Sequence, residues 1–213
     1  MENNKEKENS VKITLLGNSG VGKTCIILRF TNNEYNENSI STKGANYMPK
    51  TIKVQDKTLN LDIWDTAGQE QYRSLGKHFY KDSYIVILVY DITNKDSFED
   101  LKNVWYNDLE KYGEKYSVLA VVGNKIDRFD AEDTVPEDEA RKFAEEKNAV
   151  FMLVSAKNGD NINNLFNVLA NKYIDPFFQS QVKEEINKKG ESVVQIKEKN
   201  KEQKGLKSRK AWC

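Results

Sequence analysis

The sequence predicts an α/β fold: a mostly parallel six-stranded sheet with one antiparallel strand and helices on both faces. Three observations predict it. Apolar, β-prone runs alternate with stretches of helical periodicity between about residues 11 and 176. Some of those runs are apolar throughout, as strands buried on both faces of a parallel sheet are. Two of them are separated by only a short polar break, which marks a hairpin and hence one antiparallel pair.

Residues 1–10 are charged and polar, and are expected to be disordered. A first strand follows over 11–16. Then comes Gly17-Asn18-Ser19-Gly20-Val21-Gly22-Lys23-Thr24, and apolar spacing through Cys25, Ile26, Leu28 and Phe30 predicts a helix ending near Asn32-Asn33. Residues 34–44 are polar and read as a loop. Strands over 45–54 and 58–64 flank Gln55-Asp56-Lys57. A further buried strand spans 83–90. Phe98, Leu101, Val104, Trp105 and Leu109 give 96–112 a helical apolar face. A strand over 117–122 is closed by Gly123-Asn124-Lys125-Ile126-Asp127, and 128–134 is an acidic loop. A helix over 136–146 carries Pro136 in its first turn, a strand spans 150–154 and leads into Ser155-Ala156-Lys157, and a last helix covers 162–173. These divide the chain into a disordered stretch at 1–10, a compact domain at 11–178 and a flexible basic tail at 179–213.

Composition excludes several classes. The 33 basic and 33 acidic side chains cancel, so no whole-protein field attracts nucleic acid. The tail differs: 181–213 holds ten Lys/Arg against five Asp/Glu, a net of +5, without interleaved aromatics. Only Cys25 and Cys213 are present, so no disulfide framework is expected and a reducing compartment fits. The first ten residues do not read as a secretory leader. The longest apolar run, 84–90, is too short to span a bilayer.

The chemistry is written in four short motifs. Gly17 to Thr24 reads G-x-x-x-x-G-K-T. Its glycines let successive N–H groups turn toward one point, and the helix that begins there adds its positive end. Lys23 supplies a mobile cation for outer phosphates, and the Thr24 hydroxyl suits a magnesium ligand. Asp65-Thr66-Ala67-Gly68-Gln69 closes a strand: a carboxylate for a metal's water shell, a backbone N–H at Gly68 for a terminal phosphate, and a neutral amide at Gln69 to orient water. Alone, Asp-x-x-Gly is also an ordinary turn. Asn124-Lys125-Ile126-Asp127 ends the next strand. A carboxylate at Asp127 accepts from guanine N1–H and its exocyclic amine, and is left unpaired against adenine. Lys125 can lie along the base and Asn124 can tie loops together. The N–H of Ala156, in Ser155-Ala156-Lys157, can meet the guanine oxygen. All four follow strand carboxyl ends, the edge at which open α/β sheets bind ligands.

In this order the motifs resemble those of the Ras superfamily of small GTPases, and most closely its Rab branch, over about residues 11–176. The resemblance implies the three-layer P-loop NTPase fold of small G proteins. It also implies a switch that hydrolyses GTP to GDP, slowly without a GTPase-activating protein, and recruits effectors in vesicle trafficking. It implies nucleotide contacts from Ser19, Gly20, Val21, Gly22, Lys23, Thr24, Cys25, Tyr35, Thr42, Gly68, Asn124, Lys125, Asp127, Ser155, Ala156 and Lys157, with Tyr35 against the guanine edge. Magnesium falls to Thr24, Thr42 and Asp65, with Thr42 bound only in the GTP state, and catalysis falls to Lys23 and Gln69. Cys25 otherwise reads as a small helix-packing residue, and His78 as a surface residue without catalytic work.

Tyr47, Trp64 and Phe79 fall on the aromatic triad that Rabs present to effectors, although each also suits core packing. Partners implied are effectors, an exchange factor, a GTPase-activating protein and a GDP-dissociation inhibitor, on the cytosolic face of intracellular membranes, with endosomal ones suggested by Gly44-Ala45. Lys43 and Asn46 depart from the usual Rab pattern. So does a single terminal Cys213, which follows Lys204, Lys207, Arg209 and Lys210. Prenylation of Cys213 beside that basic stretch would give a two-signal membrane anchor, and an ordinary exposed thiol is the alternative. Two rival classes remain at this level: a nucleotide-locked interaction protein that barely hydrolyses, and a metabolic P-loop kinase, which the guanine motif disfavours.

Overall fold

A computed structural model describes residues 10–37, 42, 44–66, 81–113, 116–129 and 134–175. The chain divides into two units, Met1–Tyr173 and Ile174–Cys213, and the sheet and cleft belong to the first. Among the described residues, six strands form one sheet: β1 (Ser10–Leu16), β2 (Ala45–Val54), β3 (Lys57–Thr66), β4 (Ile85–Asp91), β5 (Val118–Asn124) and β6 (Val150–Val154). Their order is β2-β3-β1-β4-β5-β6. Every neighbouring pair is parallel except β2 with β3, which are antiparallel from Ala45↔Thr66 to Val54↔Lys57. The hairpin loop is therefore Gln55-Asp56 alone, one residue shorter than the polar break suggests, and Gln55 takes a φ of 53° to close it.

The helices are α1 (Lys23–Asn32), α2, α3 (Glu137–Glu146) and α4 (Ile162–Ile174). Helix α2 is not the uniform helix that its apolar spacing predicts. It runs as α-helix over Lys95–Asp100, widens to a π-helix over Leu101–Tyr106, and returns to α-helix over Asn107–Tyr112. Pro136 sits at the cap before α3 rather than within its first turn, where its fixed φ and missing N–H suit the chain's entry equally well. A 3-10 turn, Ile126–Arg128, follows β5. Three strands outrun their apolar runs: β3 continues through Asp65 and Thr66, β4 through Asp91, and β5 through Gly123 and Asn124, because each is an interior strand with a partner on both sides. Pairing overrides side-chain preference there.

Strand β4 shows how the layers form. All seven residues are buried, and alternate ones face opposite sides. Val86, Leu88 and Tyr90 join Phe98, Leu101, Trp105 and Leu109 of α2 and Ala140 and Ala144 of α3 in one cluster. Ile85, Ile87 and Val89 are equally inaccessible on the other face. Helices α1 and α4 meet through stacked Phe30 and Phe166 rings, with centroids 3.7 Å apart. Truncating either ring would cost about 3–5 kcal/mol, a large share of the roughly 5–15 kcal/mol by which domains are stable. The core thus holds the carboxyl ends of β1, β3, β4, β5 and β6 in register, and the loops leaving those ends build one cleft.

Candidate functional site

The cleft has a volume of about 310 Å³. Of the residues that the sequence nominates, Ser19, Gly20, Gly22, Lys23, Thr24, Cys25, Tyr35, Thr42, Asn124, Lys125, Asp127, Ala156 and Lys157 line it. Val21, Asp65 and Ser155 are buried and support the wall from behind. Gly68, Gln69, His78, Phe79 and Cys213 lie outside the described residues.

One end of the cleft is built for anions. Gly22 caps α1 with a left-handed φ of 96°, which turns the loop's N–H groups toward the helix axis. No acidic residue occupies the first turn of α1 to compete with an incoming anion. Lys23 is 5% exposed, and its ammonium donates to the carbonyls of Gly17 (2.7 Å) and Asn18 (2.8 Å). Burial lowers its pKa to about 8, against the opposing pull of the Asp65 carboxylate. Burial likewise raises the pKa of Asp65, opposed by hydrogen bonds from Thr24 and Thr42 and by the charge of Lys23. Burial outweighs the attraction between the two in both cases.

Beside Lys23, three oxygens converge. Thr24 Oγ1 donates to Asp65 Oδ2 at 2.7 Å, Thr42 Oγ1 lies 3.1 Å from the same oxygen, and the two hydroxyls are 2.8 Å apart. Asp65 Oδ1 is buried and has no hydrogen-bond partner among the described residues. An unsatisfied buried carboxylate oxygen beside two hydroxyls is an all-oxygen set with one negative charge. That suits a hard divalent cation that keeps waters and shares phosphate oxygens.

The other end is walled by polar side chains held by one another. Ser155 Oγ donates to Asp127 Oδ1 at 2.6 Å, fixing the carboxylate at the wall. Asn124 ties the ends together: Nδ2 donates to the Val21 carbonyl at 2.8 Å, and Oδ1 accepts from Ala156 N–H at 3.1 Å. Lys125 adopts a left-handed φ of 73°, and its ammonium lies 2.6 Å from Asp91 Oδ2. Asp91 is held in turn by Thr93, whose N–H and hydroxyl donate to Oδ1 at 3.0 and 2.8 Å.

Sequence reasoning misses Asp91, and it misses Arg29. From α1, Arg29 donates to the carbonyls of Ala156 (2.9 Å) and Lys157 (2.7 Å), and its guanidinium centre lies 6.0 Å from the Tyr35 ring centroid. These contacts join segments 127 and 128 residues apart, so no local spacing announces them. Glu37 also lines the cleft, 3.7 Å from Lys157 across its exposed mouth.

Tyr47 and Trp64 face each other across β2 and β3, with ring centroids 5.5 Å apart. Tyr47 is 50% exposed and donates to Asp62 Oδ1 at 2.7 Å. Among the described residues, no helix is long and apolar enough to cross a membrane.

A family model described as "Ras family" matches residues 12–175. The chain belongs to the Ras family. This Ras-family chain is 38% identical over 175 residues to "Ras-related protein Rab-1" of Theileria annulata, covering 82% of this chain and 79% of that protein. It is 36% identical over 186 residues to "GTP-binding protein YPT1" of Saccharomyces cerevisiae, covering 87% and 89%. With "Ras-related protein Rab-22A" of Homo sapiens the figure is 42% over 156 residues, covering 73% and 79%. It is a Rab-like small GTPase with the P-loop fold.

Proposed function

We propose that this Rab-like GTPase works as a two-state switch whose cleft holds GTP or GDP, and whose arm carrying Thr42 reports the terminal phosphate. The observation that carries this reading is the approach of the Thr42 hydroxyl to Thr24 and Asp65. Thr42 itself lies outside any helix or strand, so its position depends on what the oxygen cluster holds.

Magnesium fits the cluster, and Thr24, Thr42 and Asp65 are the residues that would hold it; when bound, it neutralises charge on the phosphates. Lys23 and the loop N–H groups stabilise the phosphate oxygens as the terminal bond breaks. Gln69 orients the attacking water, and Gly68 offers its N–H to the terminal phosphate. Asp127 reads guanine through N1–H and the exocyclic amine, Ala156 N–H meets the guanine oxygen, and Tyr35 covers the base edge. Loss of the terminal phosphate releases Thr42 and Gly68, and both arms relax.

The biological output is recruitment in membrane trafficking. Tyr47 and Trp64, with Phe79, form the effector face, and exchange factor, GTPase-activating protein and GDP-dissociation inhibitor set the cycle. Residues 11–178 are the GTPase domain. The tail at 179–213 places it on a cytosolic membrane face through its basic residues and a prenylated Cys213. The deciding experiment is a competition titration: bound fluorescent GDP should yield to GTP and not to ATP. Gln69→Leu should then retain nucleotide while GAP-stimulated hydrolysis falls by at least about tenfold. Displacement by ATP, or undiminished stimulated turnover, defeats the assignment. Mass spectrometry of the chain from its native cells reads the state of Cys213.

A further inference from the structure

We propose that the π-helical turn of α2 is a clasp for the phosphate loop, with Asn18, Asp100 and Trp105 as positioning residues for the nucleotide. The proposal rests on the nucleotide reading above and adds residues outside the cleft.

Asn18 is the second residue of the loop, yet its side chain does not line the cleft. It points to α2 instead. Nδ2 donates to Asp100 Oδ2 at 2.6 Å, and Oδ1 accepts from Trp105 Nε1 at 2.7 Å. The chemistry leaves one arrangement for the amide. An indole N–H only donates and an ionised carboxylate only accepts, so the two partners together fix which end of Asn18 faces which.

Asp100 and Trp105 are five residues apart. In an α-helix, with ~100° of turn per residue, they would project roughly 140° from each other. One amide could not reach both. A π-turn closes i to i+5 and brings that pair onto nearly the same face. The π segment runs Leu101–Tyr106, directly across this interval. The widened turn is therefore located where a two-point grip on Asn18 requires it.

The grip reaches the cleft through the Asn18 main chain. Its carbonyl accepts from Lys23 Nζ at 2.8 Å, beside that of Gly17 at 2.7 Å. Holding the Asn18 side chain fixes the peptide that aims the lysine. Loosening it frees the loop that must present N–H groups to phosphate. The competing role is simpler: Trp105 is 4% exposed, and Asn18 would serve only to satisfy its buried N–H. The two roles differ in what they do to nucleotide release.

The test is a reciprocal swap in the full chain, read by release of fluorescent GDP in magnesium and by amide hydrogen exchange at residues 17–24. Asn18→Asp sets a second carboxylate against Asp100 and should speed both release and loop exchange about tenfold or more. Adding Asp100→Asn restores a donor to each acceptor, and both readouts should return to within about threefold of wild type. Trp105→Phe keeps a ring in the core and drops the N–H, and should give an intermediate acceleration. Release from Asn18→Asp at the wild-type rate with only a lower melting temperature, or failure of the swap to restore it, overturns the clasp. If wild-type protein holds no GDP, the nucleotide reading fails, and the exchange measurement still decides the clasp.

Discussion

A β-carbon placed on Gly22 would stand 2.3 Å from Asn124 Nδ2, although the two residues are 102 positions apart. The loop glycine and the amide that ties the two ends of the cleft are thus fitted to each other. Gly22→Ala would also require a left-handed φ of 96° from a residue with a side chain. Asn124 cannot move aside without releasing the Val21 carbonyl and the Ala156 N–H. The expected result is a loss of GDP affinity of at least about tenfold, or 1.4 kcal/mol, by calorimetry. An alanine variant that binds as tightly as wild type would contradict the fit.

Metal removal should act through Thr24, Thr42 and Asp65. Chelation with EDTA is expected to speed GDP release from wild-type protein by about tenfold or more, because phosphate charge then lacks its counter-ion. Asp65→Asn keeps the shape and the threonine contacts but removes the charge. It should release GDP rapidly from the start and respond little to EDTA. Thr42→Ala should weaken GTP more than GDP, since its arm reports the terminal phosphate. Stopped-flow release of a fluorescent nucleotide reads all three.

The lowered pKa of Lys23, about 8 against 10.5 in its ordinary state, gives a pH dependence of definite sign. Between those values the unfolded chain carries more protons than the nucleotide-free folded one, so the stability of the latter rises with pH across that window. Nucleotide binding runs the other way. Phosphates favour the ammonium, so near pH 8.5 binding takes up a proton, and GDP affinity falls as pH rises above about 8. Calorimetry in two buffers of different ionisation enthalpy measures the uptake. Lys23→Met should abolish it.

Arg29 holds the Ala156-Lys157 segment from below, and Tyr35 lies beside its guanidinium. Hydrogen bonds from a charged donor contribute about 1.5–3 kcal/mol each when well shielded. Here the donor is partly exposed, so a smaller effect is appropriate. Arg29→Ala is expected to speed GDP release by about tenfold. Arg29→Lys, with one point charge in place of a planar fork, should recover only part of that. Equal release from all three proteins would show that the segment holds its position unaided.

The strands and the phosphate loop were legible because their signals are local. A continuous apolar run such as β4 announces burial on both faces, and Gly22 before Lys23 announces a turn into a helix. Asp127 was legible as a cleft residue because it sits in a polar motif that closes a buried strand. Three features were not. The π-turn preserves the apolar spacing of Phe98, Leu101, Trp105 and Leu109, so periodicity reads straight through it. Arg29 and Asp91 act on partners brought near only by the sheet, and an arginine on an amphipathic helix otherwise reads as a solvated face. The extension of β3 into Asp65 and Thr66 comes from pairing with β1 and β2, which no property of those two polar residues suggests.

Strand β3 also has a consequence for how this molecule communicates. Asp65 is wholly buried beneath the phosphate end, and Trp64, its immediate neighbour, projects from the opposite side of the sheet against Tyr47. A single peptide link therefore separates the chamber from the outer surface. A substitution at either position therefore bears on both.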